Sequence, residues 1–310
     1  MKGSKWALAL AVLLAAKGAG VLPQSREPEE RKLVAVLAVD GEKEITVTAV
    51  TGVRASEEEE PEVLKGTGDS LAAACRELRG GSARRAYLGQ AEQLLLGEGL
   101  DLEETLDYVL TDRELRLDTL LYIVKGKAGE TLAASAELVA KETGGKDARG
   151  RTIGEILPRL AEGEYTLVPA LAPGKEGTLE SAGWAALGPE GLRGYLEEDA
   201  ALGADLLSGL GGERVVVLPH GSVELTSART WAMDGTLRCA LTARIAEGGP
   251  APEDLARWGK TVLEAALEPG WDCWGLEREL GALRPGDWET WRDYPVKDLA
   301  VQVTGKLVRS

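Results

Sequence analysis

The stretch AYLGQAEQLLLGEGLDLEETLDYVLTDRELRLDTLLYIVKGKA, residues 86–128, constrains the fold more than any other part of the chain. An apolar run (86–97), a run of helical periodicity and a second apolar run (116–124) follow without a break, which predicts strand, helix and strand. Asp101 with Glu104 three residues later makes a capping-box-like helix start, and Leu102, Leu106, Val109 and Leu110 share one helical face. The carboxylates fall on the opposite, wet face. With no His, no Cys and no obvious nucleophile, the stretch has the pattern of a scaffold.

The flanking sequence extends that scaffold. LVAVLAV (33–39) is a continuous apolar run suited to a strand buried on both faces, and Asp40-Gly41 turns it into a β-branched partner, EITVTAVT (44–51). GTGDS (66–70) has the glycines of a phosphate loop but neither its lysine nor its spacing. Asp69 or Ser70 is instead the N-cap of a helix whose buried stripe is Leu71, Ala74, Cys75 and Leu78. Helical composition then runs from Lys125 to Lys141, GGKDARGR (144–151) reads as an exposed loop, and 153–160 as a short amphipathic helix. Short strands are predicted over 165–171 and 182–187, and three longer ones in ERVVVLP, SVELTSARTWAM and TLRCALTARIAE. Val223, Leu225 and Ser227 alternate with Glu224, Thr226 and Ala228, as in an antiparallel sheet covered on one face. A helix over 252–267 and a last strand over 298–308 complete the chain. The expected class is mixed α/β (α+β), in three small domains, each a mostly antiparallel or mixed sheet with packed helices. Their boundaries are a leader or anchor at 1–23, a linker at 24–32, an N-terminal domain at 33–141, a middle domain at 142–210 and a C-terminal domain at 211–310.

Reactive groups are sparse. Cys75, Cys239 and Cys273 form no CxxC pair, so neither a disulfide framework nor a zinc site is indicated. The sole histidine, His220, stands near Ser222, but that pair has no identifiable third member. Gly259-Lys260-Thr261 imitates a phosphate-binding motif, yet Asp254 sits where the motif needs glycine and the periodicity is helical. Trp271, Trp274, Trp288 and Trp291 could stack on a sugar ring, but in a chain without phenylalanine they are expected to fill core volume. No catalytic, cofactor-binding or metal-ligating residue is therefore assigned. The acidic run Glu57 to Glu60 reads as a solvated loop. A net charge of -15, from 51 acidic and 36 basic residues, repels nucleic acid and anionic headgroups from the body as a whole. Lys2 and Lys5 precede an apolar run from Trp6 to Ala16, followed by Lys17, Gly18, Ala19 and Gly20. That is the build of a secretory signal, too short to span a bilayer comfortably, and it predicts an exported protein.

RRAYLGQAEQLLLGEGL followed by LDYVLTDRELRLDTLLYIVKGKA resembles the Ger(x)C family of spore germination proteins, the C subunits of nutrient germinant receptors. Upstream, the first hairpin and the GTGDSLAAACRELR helix start resemble the family's first hairpin and helix start; downstream, GRTIGEILPRL, SAGWAAL, SVELTSARTWAM and the closing segment with Trp291 and Tyr294-Pro295 are similar to its later segments, all in the same order. The resemblance implies a three-domain mixed α/β body with no known chemistry and no cofactor. It further implies an extracytoplasmic, membrane-associated subunit on the outer face of the inner spore membrane, beside a membrane-embedded A subunit and a permease-like B subunit. Two positions depart from the pattern. Gln24 stands where the family has its lipid-bearing cysteine, so thioether anchoring is closed and attachment falls to the leader, which is expected to be retained, or to the partners. Gln90 replaces a family histidine. Outside the family, the competing readings are a secreted solute-binding protein with a Trp-lined cleft and an exported hydrolase.

Overall fold

The computed structural model describes residues 31–41, 43–51, 61–81, 85–111, 115–134, 150–175, 178–208, 215–218, 221–233, 236–245, 250–278 and 296–309. The leader, the linker through residue 30, Gln24, the 57–60 run, His220, Trp288, Trp291, Tyr294 and Pro295 lie outside them.

The mixed α/β class is what forms. β1 (Arg31–Asp40) pairs antiparallel with β2 (Ile45–Thr51), which pairs with β3 (Val63–Gly68). On its other side β1 runs parallel to β5 (Gln93–Gly97), and β5 to β6 (Leu120–Val124). Parallel neighbours need a crossover between them. The helix of the 86–128 stretch, α2 (Leu102–Thr111), supplies it, and Asp101 caps it by accepting from Glu104 N–H at 3.0 Å. β1 is buried on both faces as its sequence predicts. Val34, Leu37 and Val39 enter one core, while Ala35, Val36 and Ala38 enter another beneath α3 (Ala128–Ala134).

The first apolar run does not stay one strand. It breaks into β4 (Arg85–Tyr87), a 3-10 turn over Leu88–Gln90, and β5. Gln90 lies exposed at the end of that turn. GTG likewise differs from expectation, because Gly66 and Gly68 belong to β3 rather than to a loop. A Cβ on Gly66 would lie 2.3 Å from Ala74 O and 2.4 Å from Leu78 N. The glycines thus let α1 (Leu71–Gly80) lie directly on the strand. Ser70 is its N-cap, accepting from Ala73 N–H, and the buried stripe is Leu71, Ala74, Cys75 and Leu78.

Among the described residues the strands form two sheets. β7 (Arg151–Thr152), β8 (Thr166–Pro173), β9 (Leu179–Gly188) and β10 (Gly191–Leu196) extend the first sheet, ordered β10-β9-β8-β6-β5-β1-β2-β3 with β4 and β7 attached at its side. The reason lies in two-sided burial. Val168, Ala170, Ala185 and Leu187 face the N-terminal core, whereas Leu167, Trp184, Ala186 and Leu196 face the C-terminal one, so these strands cannot stand apart as a half-exposed sheet. α4 (Ile153–Ala161) opens with a full capping box of Thr152 and Glu155.

The second sheet is β11 (Val215–Leu218), β12 (Gly221–Met233), β13 (Thr236–Ile245) and β14 (Ala300–Arg309), in that order. β11 to β13 are antiparallel as their alternation predicts, with a register shift between Leu225 and Ser227, but β14 returns parallel to β13. α5 (Glu198–Ser208) and α6 (Pro252–Leu267) pack between this sheet and the end of the first.

Candidate functional site

Three groups that the sequence set aside have defined places in the structure. Gly259 of the GKT run lies in mid-α6, where a Cβ would meet Leu241 at 2.7 Å and Val303 at 3.0 Å, and Lys260 pairs with Glu264 at 3.6 Å. The glycine seats the helix on the sheet; it does not cradle phosphate. Ser222 lies in the β11–β12 ladder opposite Val217. Cys239 and Cys273 are buried free thiols, and burial pushes them up to about 11 and about 12. For Cys273 the nearby Arg159 opposes that rise. A thiol held protonated at neutral pH is a packing group and not a nucleophile.

The tryptophans divide between core and seam. Trp184 and Trp258 are fully buried, with ring N–H groups donating to Asp205 (3.0 Å) and Asp199 (3.1 Å). Trp271 lies against Gly194, where a Cβ would sit 2.4 Å from the indole edge. Trp274 lines a cavity of about 410 Å³ between the end of the first sheet and the second. Arg151, Arg159, Thr166, Thr230 and both buried cysteines share that lining. At the seam, Arg159 donates from Nε to Glu164 at 3.1 Å and from a terminal nitrogen to the Cys273 carbonyl at 2.9 Å. Glu164 also accepts from Arg278, and Asp272 accepts from the N–H groups of Leu276 (2.8 Å) and Glu277 (2.9 Å). An adjacent hollow of about 540 Å³ is bounded by Glu164, Tyr165, Asp272 and Arg278. Of these groups the sequence pointed only to Cys239, Cys273, Trp271 and Trp274. Arg159 reaches the Cys273 carbonyl, and Arg278 reaches Glu164, across 114 residues of chain, contacts with no local signal.

A second polar cluster forms at the carboxyl ends of the parallel strands, where KGKA (125–128) leaves β6. Asp40, ending β1, accepts from the N–H groups of Ala128 (2.7 Å) and Gly129 (2.6 Å) at the start of α3. A side chain on Gly97 would strike Asp40, and one on Gly129 would strike Thr48 and Asp40. Glu98 accepts from Gly126 N–H at 2.9 Å and from the Tyr195 hydroxyl at 2.6 Å. Burial, reinforced by that bond to Glu98, raises the Tyr195 phenol well above its usual range. Lys125 pairs with Glu197 and stands 4.4 Å from the centre of the Tyr195 ring. Donors and acceptors are matched here, so the cluster works as a latch joining β1, β5 and β6 to β10.

Among the described residues no group of three or more His, Cys, Asp or Glu is arranged to hold a metal, and no helix is long and apolar enough to cross a membrane. Residues 24–142 match the model of the spore germination protein N-terminal domain. Among solved structures, the chain is similar to the crystal structure of the GerBC protein, with a TM-score of 0.51 and 16% identity, over 88% of this chain and 96% of that one. At that identity the likeness concerns the fold. No curated protein is significantly similar. The matched segment contains all of residues 86–128, and the Ger(x)C resemblance drawn from them is borne out.

Proposed function

From the match of residues 24–142 to the spore germination protein N-terminal domain and the Ger(x)C resemblance, we infer a non-enzymatic receptor subunit. It acts as the C subunit of a nutrient germinant receptor, extracytoplasmic and membrane-associated at the outer face of the inner spore membrane. Its partners are a membrane-embedded A subunit and a permease-like B subunit. The observation that carries this reading is the coincidence of the family match with the strand-helix-strand block and its KGKA latch. Scaffolding chemistry agrees with it, since the buried thiols are held protonated and the charged groups at both clusters are spent on joining elements.

Deletion tests the inference. In a strain lacking every other nutrient receptor, loss of this gene should leave sporulation intact and abolish nutrient-triggered germination. Normal germination in that background defeats the assignment. The seam cavity with Trp274 favours one alternative, a secreted solute-binding protein, because inter-sheet cavities of this size suit small ligands. Neighbouring genes for an ATP-driven transporter, in place of receptor-subunit genes, would select it.

A further inference from the structure

Among the described residues, helices cover the second sheet on one face only. Leu237, Cys239, Leu241 and Ala243 of β13 are buried beneath α6, and the helix comes so close that a Cβ on Gly305 would lie 2.2 Å from Pro252 O. Alternation sends the neighbouring residues to the other face, on which no described helix lies. Register orders that face in rows running across β12, β13 and β14: Trp231, Arg238, Gln302; Arg229, Ala240, Thr304; Ser227, Thr242, Lys306; Glu224, Arg244, Val308. Four cations face a single carboxylate, in a chain whose net charge is -15. Arg244 is paired with Glu224 at 3.1 Å. Among the described residues, Arg229, Arg238 and Lys306 have no ion-pair or hydrogen-bond partner, and the Arg238 Nε is buried without one. Strand spacing and rise put these three positions within about 15 Å of one another. Trp231, at 37% exposure, stands at the end of the array.

We propose that this face rests on an anionic phospholipid surface. A lipid headgroup layer asks for a flat array of cations with an aromatic ring at its margin, and the rows supply both. A protein partner asks for an apolar centre depleted in charge, and among the described residues of this face the exposed large apolar groups are only Trp231 and Val308. The acidic remainder of the molecule fixes the pose. It is repelled by the surface that attracts the sheet, so one orientation is favoured over all others. The inference stands apart from the receptor reading, since any exported protein with this face would bind in the same way.

The test is flotation of the full chain with vesicles of phosphatidylcholine, alone or mixed with phosphatidylglycerol. Each basic residue at an anionic surface strengthens partitioning about fivefold. Arg229→Gln/Lys306→Gln should therefore weaken binding to the mixed vesicles by about twenty-fold, and Arg229→Glu/Lys306→Glu by more. Added salt should weaken the wild type in the same direction. Binding to phosphatidylcholine alone should be equal in all three proteins, which separates any insertion by the leader. A charge-matched control, Lys175→Glu/Lys260→Glu, should bind mixed vesicles nearly as the wild type does. All of these positions are on the surface, and circular dichroism checks that the variants are folded. Equal binding by wild type and reversed variant overturns the proposal, and so does an equal loss in the control. Unchanged vesicle binding with loss of self-association in the reversed variant would assign the face to a second copy of the chain, which also overturns it.

Discussion

Single residues carry the joints of this molecule. Asp40 satisfies two backbone N–H groups at the start of α3 through one carboxylate. Asp40→Ala should cost about 2 kcal/mol, the range for losing a cap with a charged acceptor, measured as a lower midpoint in urea unfolding. Gly66 has the opposite role, since what matters is the space it leaves under Ala74 and Leu78. Gly66→Ala overpacks a backbone contact and should destabilise by about 1–3 kcal/mol. The buried thiols give a pH dependence whose sign follows from their direction of shift. Cys239 and Cys273 ionise near 9 when unfolded and near 11 and 12 when folded, so above pH 9 the unfolded chain loses protons first. Their contribution is complete below pH 9 and is lost as pH rises towards 12. Unfolding at pH 8 and at pH 10.5 should show a clear drop in stability, and Cys273→Ala should make that drop smaller.

At the scale of elements, the parts legible in sequence are those with local causes. Ser70 and Asp101 announced their helices, amphipathic periodicity announced the one at 153–160, and the two-sided run at 33–39 announced a central strand. β10 and α5 gave no such signal. In β10 only Gly191 and Leu196 are fully buried, and α5 packs through small residues, with Gly203 placed so that a Cβ would meet Trp258 O at 2.2 Å. Helix contacts made by glycine and alanine have little amphipathic contrast to read. Long-range choices were equally hidden, including the parallel return of β14 and the salt-bridged seam. That seam makes its own prediction. Arg159→Met removes the bond to the Cys273 carbonyl and leaves Glu164 with Arg278 alone, so amide exchange should quicken across 273–278 while β1, β5 and β6 stay protected. Uniform quickening over the whole chain would mean that Arg159 supports global stability and is not a local latch.

Among the described residues a long mixed sheet is joined to a smaller one through two helices, and the face of the smaller sheet on which no described helix lies is basic. Net charge concealed that face. A total of -15 describes the average field, whereas register alone places Arg229, Arg238, Arg244 and Lys306 on one side. A receptor subunit working through scaffold surfaces has no need of a reactive centre, and its function lies in what it holds together. Affinity purification of the tagged chain from dormant-spore membranes tests that account most directly. The account predicts that a multi-span, permease-like B subunit and a membrane-embedded A subunit come down with it in constant proportion. Recovery of the chain alone from the soluble fraction, or together with components of an ATP-driven transporter, would contradict it.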